Sequence, residues 1–130
     1  MLEIEHARGS NRAEQHQIHQ MTLHALDAWV REPSVLTDAL RLRAILRSGA
    51  DAGGATVVGE EFFVFPNGAV TGVLLLAQSH LSIHTWPEFG LANVDLLSYG
   101  HVRGEEVLRV MAEGLGIARS ERVRIRRAIG

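Results

Sequence analysis

The passage from Val70 to Glu88 constrains this chain more than any other. Val70 to Ala77 is apolar and of strand length, so it reads as a buried β-strand. It runs directly into Gln78-Ser79-His80-Leu81-Ser82-Ile83-His84-Thr85-Trp86-Pro87-Glu88. Hydroxyls, two imidazoles and a carboxylate therefore crowd against a buried strand, beside a rigid Trp86-Pro87 corner. A segment built only to fold has no need of that density of reactive groups.

Short elements surround it. Met21 to Val30 alternates in part and suits a strand that turns at Glu32-Pro33. Ser34 stands as an N-cap for an amphipathic helix over Val35 to Ala52. Its apolar positions are Leu36, Ala39, Leu40, Leu46 and Ala50, with Arg41, Arg43 and Arg47 between them, and Gly53-Gly54 ends it. Ala55 to Phe65 reads as a strand and Pro66-Asn67-Gly68 as a turn. Leu81 to His84 and Leu91 to Leu97 read as strands around the Trp86-Pro87 bend. Glu105 to Leu115 forms a second helix, with Val107, Leu108, Met111 and Leu115 on one face. Arg122 to Arg127 alternates Val123 and Ile125 with arginines, as a half-exposed last strand does. The order β-α-β-β-β-α-β predicts an α+β, two-layer sandwich with a mostly antiparallel sheet and both helices on one face. The other face then needs cover, and dimerisation is the simplest source of it.

At 130 residues, the chain fits one core. Residues 1–20 are too polar to offset the entropy of ordering, so they read as a flexible tail in which His6, His16 and His19 are solvated rather than metal-binding. Residues 21–130 form the single domain. A net charge of −2 gives no reason to expect nucleic acid or anionic membrane as a partner. No apolar run approaches the roughly 18 residues of a membrane span. The N-terminus lacks the apolar core of a secretion signal, so the expected compartment is the cytoplasm. With no cysteine, thiolate metal sites and thiol catalysis are excluded. Ser79 lacks a Gly-x-Ser-x-Gly elbow. His80 and His84 have zincin spacing without the glutamate at the second position, and the glycines form no phosphate loop. No metal is expected.

The Gln78-to-Glu88 run resembles the self-cleavage segment of the bacterial and archaeal S-adenosylmethionine decarboxylases, which are pyruvoyl-dependent. In that family a Glu-Ser-His-Leu-(Ser/Thr)-Ile-His-Thr-Trp-Pro-Glu run is cut before the serine. The resemblance extends from about Leu23 to the C-terminus and includes Gly54-Ala55-Thr56-Val57 and Leu91 to Gly100. It implies that Ser79 Oγ attacks the carbonyl of Gln78 to give an ester. Elimination then leaves dehydroalanine, which hydrolyses to a pyruvoyl group at residue 79. The products are fragments 1–78 and 79–130, in a homodimer of processed protomers. By the same resemblance His84 assists processing, Thr71 stands for a hydrogen-bonding serine, Phe65 stacks on adenine, and Glu88 holds ribose hydroxyls. His80 lies on the opposite pleat from Ser79.

Two positions depart from the family. Gln78 replaces a glutamate; its carbonyl remains an ordinary amide, but a negative charge is lost. Tyr99 stands where the family has the cysteine that protonates the product carbanion. A phenol, with a reference pKa of about 10 against about 8.5 for a thiol, is a weaker acid and bulkier. The proton then comes from Tyr99, Ser98, a histidine or water. The expected function is a pyruvoyl-dependent decarboxylase of polyamine biosynthesis. Tyr99 puts a basic amino acid, L-ornithine or L-arginine, received by Glu88, Asp95 or Glu61, ahead as the expected substrate, with S-adenosylmethionine as the alternative. Phe65 and Glu88 favour S-adenosylmethionine. A reading of another class is an unprocessed chain that serves as a regulatory subunit.

Overall fold

A computed structural model describes residues 21–128 and the backbone of residues 2–4. The three tail histidines lie outside the described residues, as does most of the segment read as a tail. The order is β1 (Leu2–Ile4), β2 (Met21–Val30), a 3-10 turn (Pro33–Thr37), α1 (Ala39–Ala52), β3 (Val57–Val64), β4 (Val70–Leu76) and β5 (Ser79–Trp86). A second 3-10 turn (Pro87–Phe89), β6 (Leu91–Tyr99), α2 (Gly104–Leu115) and β7 (Ile117–Arg127) complete it. One sheet holds all seven strands in the order β1-β7-β2-β6-β5-β4-β3. β1 lies parallel to β7, and the other neighbours are antiparallel. No described helix is long and apolar enough to cross a membrane.

Strand periodicity of two splits the sheet into unlike faces. Residues of β2 and β6 alternate between half-buried and buried without a break. Leu26, Ala28, Leu74, Leu81, Ile83, Val94 and Leu96 point to the helices and lose nearly all exposure. Leu42 and Leu46 of α1 and Met111 and Leu115 of α2 meet them from above. Each such side chain contributes roughly 1.5–3 kcal/mol through burial. The helices approach closely where α1 has Gly49: a Cβ there would fall 2.8 Å from Met111 Cγ. Gly72, on β4, is covered by the ring of its cross-strand partner Phe62, which a Cβ would strike at 2.2 Å.

Several expectations change in detail. Leu2–Ile4 form an edge strand instead of belonging to a tail. Four strands lie between the helices, matching the four strand segments read from the sequence and one more than the order β-α-β-β-β-α-β counts, with Trp86-Pro87 closing the hairpin between β5 and β6. Asp38, not Ser34, caps α1, since its Oδ1 accepts from Arg41 N at 3.1 Å. Val35 and Leu36 belong to a preceding 3-10 turn that drops both into the core. β5 begins at Ser79 rather than Leu81, because Leu76 and Ser79 pair across a two-residue connection. β7 extends back to Ile117 because β2 is long enough to pair with it.

Candidate active site

The sheet face that the helices leave bare carries most of the residues singled out from the sequence. A row crosses it from Phe63 through Thr71, His84 and Asn93 to Asp27. Thr71 Oγ1 and His84 Nδ1 lie 3.0 Å apart. Asn93 Nδ2 donates to Asp27 Oδ1 at 2.7 Å, and Trp86 Nε1 donates to Asn93 Oδ1 at 2.6 Å. Phe65, just beyond β3, packs edge-on against Phe63 with centroids 4.9 Å apart. Both rings are exposed, at 44% and 59%, so Phe65 is not a core residue. Glu88 follows in the exposed turn after β5, at the same end of the sheet. Phe65, Thr71, His84 and Glu88 thus share one end.

Ser79 does not join them. It opens β5 and His84 lies five positions on, which at about 3.3 Å per residue is roughly 16 Å. Ser79 also shares its pleat with Leu81 and Ile83, the side opposite to His84. Tyr99 ends β6 at the Ser79 end: His80 opposes Leu97, and continuing that register sets Tyr99 beside Gln78. The Ser79 hydroxyl donates to the Leu97 carbonyl. The row nearest this end runs Leu75, His80, Leu97, Leu23 and Ile125, which is apolar apart from His80. Leu75 in it is 52% exposed.

Gln78 carries the backbone signature of this end. Its φ is +68°, and it is the one non-glycine residue with positive φ among the described residues. A positive φ at the second residue alone of a two-residue connection is the pattern of a type II turn, which normally takes Gly or Asn there. Such a turn also works against the twist of the strands it joins. A side chain in this region costs about 1–3 kcal/mol, and here that strain sits on the residue ahead of Ser79.

Sequence reasoning missed Phe63, Asn93 and Asp27. The spacing of two between Phe63 and Phe65 was the available signal for the aromatic pair. The Asn93–Asp27 link depends on strand register, which is not readable locally. No group of three or more metal-ligating side chains is found among the described residues.

The comparisons with known proteins agree with this geometry. The S-adenosylmethionine decarboxylase family model matches residues 22–128. The chain belongs to that family. It is 35% identical over 105 residues to the S-adenosylmethionine decarboxylase proenzyme of Methanococcus maripaludis, covering 80% of this chain and 86% of that one. It is 38% identical over 91 residues to the proenzyme of Parasynechococcus marenigrum, covering 69% and 71%. The crystal structure of the adenosylmethionine decarboxylase from Aquifex aeolicus superposes with a TM-score of 0.76 at 26% identity, covering 86% of this chain and 93% of that one. The chain is thus an enzyme of the S-adenosylmethionine decarboxylase proenzyme family, pyruvoyl-dependent lyases made as self-cleaving proenzymes.

Proposed function

We propose that this chain cuts itself between Gln78 and Ser79, carries a pyruvoyl group derived from Ser79, and decarboxylates S-adenosylmethionine in polyamine biosynthesis. The observation that carries this reading is the left-handed backbone of Gln78 beside a serine at a strand end. An acyl shift from nitrogen to oxygen at that bond relieves the turn. The residues there fit such a group, because Ser79 opens its strand directly after the two-residue turn. A pyruvoyl group supplies a ketone that accepts the electron pair left when a carboxylate departs as CO2. The exposed Phe63–Phe65 pair offers aromatic faces for a purine and for a sulfonium. Tyr99, in register beside Gln78, is placed to hold or give a proton at the Ser79 end.

The roughly 16 Å between Ser79 and His84 argues for a homodimer. Two bare sheet faces packed about a two-fold axis, about 10 Å apart, set the Ser79 end of one protomer over the His84 end of the other. The Ser79 side chain of the uncut chain points to the covered side. Once residue 79 is a free chain end, however, its ketone, on the former Cα, is able to turn to the bare face. Each site then combines residue 79 and Tyr99 of one protomer with the partner's Thr71, His84, Phe65 and Glu88. The exposed apolar row around Leu75 gains the cover it lacks.

A basic amino acid, L-ornithine or L-arginine, is the second reading. Tyr99 in place of a cysteine favours it, and Asp95 and Glu61 lie on the bare face to receive a cation. The aromatic pair moves the preference to S-adenosylmethionine, since an alkylammonium or guanidinium substrate has no purine to stack. Denaturing mass spectrometry should find fragments 1–78 and 79–130, the second beginning with a ketone at residue 79. An intact chain after prolonged incubation would instead favour an unprocessed regulatory subunit. For the cut protein, CO2 release from S-adenosylmethionine above that from ornithine and arginine is expected; the reverse order would establish the second reading.

A further inference from the structure

On the helix-covered side of the sheet, at the Ser79 end, lies a cavity of about 170 Å3 lined by Thr22, His24, Ser98, Gly104, Glu105 and Arg124 among others. His24 is 3% exposed. Its Nε2 lies 3.3 Å from Ser98 Oγ, whose hydroxyl donates to the Thr22 carbonyl oxygen at 3.3 Å and has to turn from it to donate to Nε2. Nδ1 has no partner among the described residues. The imidazole is wedged beneath the start of α2, where a Cβ on Gly104 would fall 2.5 Å from Nε2. A buried histidine with one nitrogen on a serine and the other unpartnered is an expensive arrangement for packing alone.

Ser98 links this histidine to the cleavage junction. β5 and β6 pair His80 with Leu97, so one step further Ser79 stands beside Ser98. Ser79 shares its pleat with Leu81, which is buried beneath the helices as Ser98 is. Cross-strand neighbours on one face have Cβ atoms roughly 5 Å apart, within reach of a hydroxyl–hydroxyl bond. Ser79 Oγ now donates to the Leu97 carbonyl, and a χ1 rotation would turn it to Ser98.

We propose that His24, acting through the Ser98 hydroxyl, takes the proton from Ser79 Oγ in the first step of self-cleavage. This rests on the self-cleavage reading above. The Ser79 proton passes to Ser98 Oγ as the Ser98 proton passes to His24 Nε2. The freed electron pair on Ser79 Oγ attacks the Gln78 carbonyl carbon. The bond from that carbon to Ser79 N then breaks, and the nitrogen takes the proton back from His24 through Ser98. The product is an ester with a free amine, isomeric with the starting peptide, so no co-reactant is needed. The tautomer with the proton on Nδ1 leaves Nε2 free to accept.

The charged groups facing His24 are Glu105 from α2 and Arg122 and Arg124 from β7; Thr22 and Ser98 add hydroxyls. Burial holds the imidazole below its ordinary pKa, with Glu105 raising it in part and Arg122 lowering it. Burial thus favours the neutral imidazole, the form that acts as a base. His84 lies on the opposite face, and so does not compete for this step within the same protomer.

The test is the rate of cutting of the full chain, pulse-labelled in cell-free synthesis and followed by denaturing mass spectrometry across pH. For the wild type, the rate should rise with pH through a midpoint below about 6.5 and then level off. His24→Gln and Ser98→Ala should each slow cutting at least about tenfold at neutral pH and flatten the profile. Variants that cut within about twofold of wild type, with the wild-type profile, would overturn the role of His24. Should His24→Gln not fold, Ser98→Ala decides: cutting at least about tenfold slower supports the relay, and cutting within about twofold of wild type overturns it. An uncut wild-type chain would overturn the self-cleavage reading itself.

Discussion

β5 ends in two different environments. At its start Ser79 follows a strained turn, and the bare face beside it is apolar from Leu75 to Ile125. Near its close His84 sits in a polar row bonded to Thr71, close to two exposed phenylalanines. The first end has a serine hydroxyl behind a residue of left-handed backbone, without a bare-face imidazole other than His80. The second has an oriented imidazole and aromatic faces but nothing to cut. Neither end is a complete site. The proposed bare-face dimer would reconcile the two, and the proposed role of His24 would give the Ser79 end its own base from the covered side.

The largest expected effect comes from removing the nucleophile. Ser79→Ala should stay intact indefinitely and release no CO2; mass spectrometry reads the first and isotope release the second. Next come the aromatics of the His84 end. Phe63→Ala and Phe65→Ala should each raise KM for S-adenosylmethionine about tenfold, in line with roughly 1–3 kcal/mol for stacking a base on an aromatic ring. They should not slow cutting at the Ser79 end. Equal damage to both would erase the distinction between the ends.

A smaller effect tests the strain directly. Gln78→Gly accepts the positive φ at no steric cost, so it should stabilise the uncut chain by about 1 kcal/mol, measured by urea denaturation in a Ser79→Ala background. In the Ser79 chain it should slow cutting severalfold. Unchanged stability would mean that the turn stores nothing.

The smallest effect is the pH dependence of stability. His24 holds its proton less tightly in the fold than in the unfolded chain. Between its depressed folded pKa and about 6.5 the unfolded chain binds more protons, so this stability is complete above about 6.5 and lost as pH falls. Urea midpoints of Ser79→Ala should fall between pH 7.5 and 5.5, and fall less once His24→Leu is added. Glu60, held low by Arg43 and Arg47, and Glu106, held low by Arg109, are exposed and act only at more acid pH.

The run from Gln78 to Glu88 made much of this legible. Alternation along β2 and β6 and the apolar faces of both helices were enough to assign two layers. The Ser79–His84 separation was implicit too, since five strand positions fix a length. What stayed hidden depends on pairing between distant strands. Asp27 meets Asn93, and His24 meets Ser98, only because β2 enters the sheet beside β6. Gln78 gave no warning of its positive φ, because glutamine is not a residue that turns of this kind select. Asp38 outcompeted Ser34 as a cap once Val35 and Leu36 were drawn into the core.

The central claim is that a working site combines the Ser79 end of one protomer with the His84 end of another. Co-expression of Ser79→Ala and His84→Ala chains tests it most directly. Each alone should be inactive. Random pairing makes half of the dimers mixed, each with one intact site, so roughly a quarter of wild-type CO2 release should return. Mass spectrometry should find only the His84→Ala chain cut. A mixture as inactive as either parent would contradict a shared site and return Ser79 and His84 to the same chain.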